Sequence, residues 1–375
     1  MNSRAVATPS CRGLASFALV AALLFVVTSH ASGEGVALEE VARDYATSHN
    51  FHGTILVERR GVTLFHRSFG LADREFDIPV QDDTKFRIAS ITKAFTSVLI
   101  LQLNEQGKLD LNAPFGTYLP RHSGPGAGAI TIHHLLNHTS GLANYDTLLT
   151  DEEAGKKGLE LYQLPHTTEQ LLDELARGKP VNEPGKKFDY NNADYVILGK
   201  VIEALDGRPY EVVLADRILT PLGMSDSGMI HHGKITKKLA RTYWRPKGSE
   251  ELTNDWPMYP ENWYAAGAMY STATDLKKFA DALFGGILLK PDSLDRMLKP
   301  GLDNYGYGAW VRGLDVGGKP DKVFERYGSI QGANSLLSHR MDADITVILL
   351  SNTNMTDLGE FSSRLGDAAA SHAKD

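Results

Sequence analysis

Apolar positions recur along this chain in two rhythms, and the changes between them lay out its elements. Val36 to His49 carries Val36, Leu38, Val41, Tyr45 and Ala46 at helical spacing, which predicts a surface helix packing one stripe. Gly53 to Val57 and Val62 to Phe69 are extended runs on either side of Glu58-Arg59-Arg60-Gly61, which predicts an antiparallel hairpin with glycine in its turn. After a short extended approach from Phe86 to Ala89, a helix is expected from Ser90 to Gly107, serine serving as N-cap and glycine as the stop. Ile91, Ala94, Phe95, Val98, Leu99, Leu101 and Leu103 lie almost all round it, so it reads as a central helix packed on several sides.

The middle of the chain is mainly helical and loop-like. Ile130 to Leu136 is apolar and short; Thr167 with Gln170 three residues on caps a helix bearing Leu171, Leu172, Leu175 and Ala176. Further helices are expected from near Asn192 to Gly207, from Pro209 to Leu219 and from Met269 to Gly285. Strands return at Tyr305 to Val311, Phe324 to Tyr327, Ser335 to His339 and Ile345 to Ser351, and a helix from Asp357 closes the chain. Strands at both ends around a helical middle predict an α+β fold: one antiparallel sheet built from both chain ends, flanked by helices, with a mainly helical part inserted. The sheet would come from about 36–90 and 300–375 and the insertion from about 108–290, with a site at the seam.

The first residues follow a different logic. Arg4 and Arg12, then apolar Leu14 to Val27, then Ser29-His30-Ala31 give the order of a secretory signal peptide, 1–31, too short in its apolar run for a comfortable membrane span; an uncleaved anchor is the alternative. Its removal would take away Cys11, the one cysteine, and leave a domain from 32 to 375 held by its core alone, periplasmic or secreted. The formal net charge would go from −7 to −9 with the loss of two arginines, which speaks against nucleic acid or an anionic membrane as partner. No internal repeat or low-complexity linker is found.

Ser90-Ile91-Thr92-Lys93 places a hydroxyl and an amine one helical turn apart. Burial and the positive end of the helix both disfavour the charged lysine, so its pKa is expected to fall and a neutral amine would stand as general base beside a nucleophile. On these four residues alone, an ordinary capping serine with a lysine that snorkels to solvent is the commoner account, because Ser-x-x-Lys is frequent by chance. Tyr190 and Asn192, delivered by the turn from Pro184 to Asn191, can relay a proton and hold an amide or an amine, or can simply cap a helix. Arg326-Tyr327-Gly328-Ser329 is a strand through a glycine, where substrate backbone could approach and the Ser329 amide could join that of Ser90 as an oxyanion donor. His134 and His138 have the spacing of two metal ligands, and His231-His232 is another pair, but no further ligand stands at a zinc spacing; no metal and no cofactor are expected. Gly124 to Gly128 is a glycine-rich loop without the lysine of a phosphate cradle.

Taken in order, these motifs make the chain resemble the serine β-lactamase and penicillin-binding-protein superfamily, most nearly its class C β-lactamase-like branch with D-stereospecific peptidases and esterases. The motifs are Ser90-Ile91-Thr92-Lys93, Tyr190-Asn191-Asn192 and Arg326-Tyr327-Gly328, with Leu135 to Leu142, Pro221 to Met224 and Ala266 to Thr272 as accessory stretches. The resemblance implies that Ser90 attacks a carbonyl to form an acyl-enzyme while Lys93 and Tyr190 handle its proton. It also implies that Asn192 fixes the lysine and the substrate amide, and that the amides of Ser90 and Ser329 hold the oxyanion. Arg326 stands where the family has lysine or histidine, and could grip a substrate carboxylate but not shuttle a proton. Tyr327 narrows that wall and Ala333 replaces a common aromatic, which puts β-lactam hydrolysis in doubt. The expected activity is an exported serine hydrolase acting on an ester or peptide-like amide. The alternatives are a class C-like β-lactamase or D-alanyl-D-alanine carboxypeptidase, and a non-catalytic binder of cell-wall fragments. Substrate choice is placed in Tyr145 to Pro165 and Ile230 to Tyr264, and the oligomeric state is left open.

Overall fold

The computed structural model describes residues 33–371 other than 123, 146–155, 177 and 317–318, so the signal-peptide reading of Met1 to Ala31 lies outside the described residues. After helix α1 (Gly33–Ser48), strands β1 (Gly53–Arg59) and β2 (Val62–Phe69) form the expected hairpin. Its turn uses Arg60 at φ 50° and Gly61 at φ 78°, the positive-φ pair that matches strand twist. The central helix α2 is Thr92–Glu105, and Gly107 at φ 69° ends it as expected. Ser90 does not cap it. A 3₁₀ turn, Ala89–Ile91, precedes the helix; neither start carries a side-chain cap, and Thr92 Oγ1 donates to the Ala89 carbonyl at 2.7 Å.

Helix α3 (Thr168–Ala176) has a reciprocal capping box, Gln170 N–H to Thr167 Oγ1 at 3.2 Å and Thr167 N–H to Gln170 Oε1 at 2.7 Å. Helix α4 (Asn192–Asp206) is capped by Asn191, whose Oδ1 accepts from Ala193 N at 2.9 Å, and ends on Gly207 at φ 81°. The run after Pro209 is helical to Leu219, its second half widened into a π turn. Met269 to Ser271 departs from the expected helix: it is a strand between Phe86–Arg87 and Gly228–Met229, and helix α5 (Ala273–Phe284) starts only after Thr272. The reason is tertiary. The buried extended approach to Ser90 needs partners for its backbone groups, and this segment supplies them.

The C-terminal strands are β3 (Trp310–Val316), β4 (Lys319–Ile330), β5 (Ala333–Arg340) and β6 (Ile345–Ser351), followed by helix α6 (Leu358–Ser371). Tyr305 to Ala309 is not strand as expected: Gly308, at φ 84°, lies so close to α2 that a Cβ there would meet Ser97 Oγ at 2.5 Å. The six strands form one antiparallel sheet in the order β3-β4-β5-β6-β1-β2, with β1 paired to β6 from Gly53 opposite Ser351 to Arg59 opposite Ile345. Alternate residues serve two cores. Ile55, Val57, Leu336, Val347 and Leu349 pack against α1 and α6, while Leu56, Leu337, Ile348 and Leu350 face the helices around α2. α5 closes over α2 by stacking Phe279 on Phe95, ring centroids 3.8 Å apart. Among the described residues no helix is long and apolar enough to cross a membrane.

Candidate active site

Ser90 sits where the 3₁₀ turn meets the sheet. Ala89 before it is held at φ 45°, a strained conformation for a residue with a Cβ, and β4 runs directly past it. That approach requires glycine at 328. A Cβ there would lie 2.2 Å from the Ile88 carbonyl oxygen, 2.4 Å from Ser335 Oγ and 3.1 Å from Ser90 N. Ser335 Oγ donates to the same Ile88 carbonyl at 2.8 Å and ties the turn to β5. Ser329, opposite Asn334 in the ladder, is the next residue of this edge.

One turn along, Lys93 is fully buried, and its Nζ donates to Ser90 Oγ at 3.1 Å, Asn192 Oδ1 at 2.6 Å and the Ala266 carbonyl at 2.9 Å. Asn192 is in place because it opens α4. The Ala266 carbonyl is in place because Tyr264, at φ 41°, turns the chain into the short helix Tyr264–Gly267, against which α4 packs through Gly199.

Tyr190 approaches Ser90 from the other side, its OH donating to Ser90 Oγ at 2.9 Å. Burial pushes the phenol up, but the charges of Arg326 and Lys93 outweigh it, helped by hydrogen bonds from Lys93 and Ser90, and bring Tyr190 down to about 8. Arg326 is fully buried. Its Nη2 donates to the Tyr190 oxygen at 2.6 Å, its Nη1 to Tyr305 OH at 2.9 Å and its Nε to the Ser90 carbonyl at 2.6 Å. Trp310 covers it, ring centroid 5.7 Å from the guanidinium carbon and stacked at 11° on Tyr190. The guanidinium is thus engaged by Tyr190, Tyr305 and the Ser90 carbonyl.

A nucleophilic hydroxyl between a lysine and a tyrosine, beside a strand edge with a required glycine, can support acyl transfer. The Beta-lactamase family model matches residues 38–370. The chain belongs to the β-lactamase family. It is a serine hydrolase of that family, similar to a penicillin-binding protein from Bacillus halodurans, 27% identical over 88% of this chain and 98% of that one, TM-score 0.73. It is also similar to the D-amino acid amidase of Ochrobactrum anthropi SV3, 25% identical over 91% and 99% of the two chains, TM-score 0.76. Among curated proteins, esterase EstB of Burkholderia gladioli is 34% identical over 47% of this chain and 46% of its own.

Within this β-lactamase-family site, sequence reasoning missed Tyr305 and the Ala266 carbonyl. Tyr305 was read as strand; its place among the glycines of 306–308 was the available signal. His138 and His134 are not a metal pair: His134 Nδ1 accepts Thr131 N–H at 3.2 Å, and His138 Nδ1 lies 2.8 Å from Asp194 Oδ2. His231 pairs with Glu211 at 2.6 Å.

Proposed function

We propose that this protein is exported and that its mature part, from residue 32 to 375, hydrolyses esters or peptide-like amides through an acyl-enzyme on Ser90. The carrying observation is that Ser90 Oγ lies within hydrogen-bond distance of both Lys93 Nζ, at 3.1 Å, and Tyr190 OH, at 2.9 Å. Tyr190, in its phenolate form, takes the serine proton as Oγ attacks, while Lys93 shares in handling that proton and its hydrogen bonds hold Oγ and Asn192 in place. The oxyanion falls to the backbone amides of Ser90 and Ser329. Tyr190 then returns its proton to the leaving group, and the reverse sequence with water frees the acid. EstB, an esterase, and the D-amino acid amidase support the two acyl classes. The buried place of Arg326 weighs against the β-lactamase and carboxypeptidase reading, because that reading assigns it to a substrate carboxylate.

Intact mass after incubation with an activated short-chain ester or with a penicillin tests this, with Ser90→Ala alongside. The ester should turn over only with Ser90 present. Rapid penicillin turnover would move the protein to the β-lactamase reading, and a protein inert to both would be a binder.

A further inference from the structure

Two buried titratable groups behind Tyr190 are left unused by this chemistry. His138 and Asp194 are both fully buried, with Nδ1 and Oδ2 2.8 Å apart. His138 stands at φ 56° just after the helix Ile132–Leu136, and it brackets the tyrosine: its carbonyl accepts Asp189 N–H at 2.9 Å and its Nδ1 accepts Asn191 N–H at 3.3 Å. Its ring lies against Tyr190, centroids 4.4 Å apart. The peptide groups on both sides of the tyrosine are thus tied to one residue. The rest of that turn continues the cradle, with Asn144 Nδ2 donating to the Tyr190 carbonyl at 2.6 Å and Asn191 Nδ2 to those of Leu142 and Ala143 at 3.2 and 3.1 Å. Asp194, in the first turn of α4 and two residues beyond Asn192, backs the imidazole.

With Asn191 N–H directed at Nδ1 at 3.3 Å, an accepting Nδ1 takes the proton it shares with Asp194 from the carboxyl group and leaves the imidazole N–H on Nε2. Burial favours the same arrangement. It pushes the Asp194 carboxyl well up, against the pull of Ser140 and Lys93, and the His138 imidazole well down, with the Lys93 and Arg326 charges adding to the latter. The groups facing the pair are Lys93 from α2, Arg326 from β4, Tyr195 from α4, Tyr305 before β3, and Asp189 and Tyr190 from the loop. An ionised Asp194 would set a negative charge behind the phenolate and oppose the two cations.

We infer that His138 and Asp194 form an uncharged positioning pair that sets Tyr190 against Ser90, a role that rests on Tyr190 being the acid and base of the proposed reaction. Asp194→Asn puts an amide N–H where the carboxyl proton sits, so kcat on an activated ester is expected to stay within about threefold of wild type. His138→Phe keeps a ring but removes the acceptor, and kcat should fall on the order of 10- to 100-fold with KM nearly unchanged. His138→Gln, which restores an acceptor, should recover part of that loss. A second readout needs no turnover: ultraviolet titration against a Tyr190→Phe blank should show the tyrosine near pH 8 in wild type and Asp194→Asn, and shifted upward in His138→Phe. A loss of about a hundredfold or more in Asp194→Asn would make the pair a charged relay and overturn the inference. So would a folded His138→Phe with wild-type kcat and an unmoved tyrosine, since only a structural role remains. Should His138→Phe fail to fold, the Gln and Asn variants decide by the same two readouts. If Tyr190→Phe turned over like wild type, the proposed chemistry would fall, while the titration would still report whether the pair places the ring.

Discussion

Tyr190 is held between Lys93 and Arg326, and this determines how the site should respond to pH. Its depressed pKa of about 8 means that the working phenolate fills as pH rises through that value, so ester hydrolysis should climb to a plateau above it and fall off below. A pH–rate profile of kcat checks this; Arg326→Gln should move the rising limb toward ~10 and lower the plateau by on the order of a hundredfold. A limb that stays near 8 in the variant would remove Arg326 from this role. At this scale the sequence was readable in part. Ser90, Lys93, Tyr190 and Asn192 could be picked out only through the order of their motifs along the chain, on which the family resemblance rests; each motif alone has an ordinary capping account. The orientation of Arg326 could not, since residue type shows a charge but not what covers it, and Trp310, Tyr305 and the Ser90 carbonyl come from three separate segments.

The strand edge is the element on which the site depends most. Gly328 allows β4 to pass where a Cβ would lie 2.2 Å from the Ile88 carbonyl oxygen and 3.1 Å from Ser90 N, so Gly328→Ala should push the edge away from the nucleophile. Loss of one oxyanion donor predicts a fall in kcat of on the order of a hundredfold or more, measurable with the same ester; a variant with wild-type rate would put the oxyanion elsewhere. Elements with strong local signals were legible in advance: the hairpin of β1 and β2 through its period of two and glycine turn, α3 through its Thr167 and Gln170 box. Met269–Ser271 was not, because a short apolar run suits helix or strand equally and the choice was made by Phe86–Arg87, far away in the chain. Tyr305 to Ala309 failed for a similar reason, its conformation being set by contact with α2 at Gly308.

For the molecule as a whole, a buried and a half-buried histidine set an acid limit. Burial pushes His339 down to about 4 despite nearby carboxylates, and His52 to about 4 with help from Arg74, while both titrate near 6.5 once unfolded. Below pH 6.5 the unfolded chain binds protons that the native protein refuses, so stability is full above that value and is lost as pH falls toward 4. The buried His339 contributes a slope of up to about 1.4 kcal/mol per pH unit and the half-buried, better-screened His52 less, and thermal melts at pH 7, 5.5 and 4.5 should show a decline that a flat series would refute. The pairing of β1 with β6 carries a consequence of another kind. During synthesis the first strand leaves the ribosome nearly 300 residues before its central neighbour, so the sheet has no complete core until the last segment is made. A nascent chain of this topology stays open until it is finished, which is the form that the export proposed above would require.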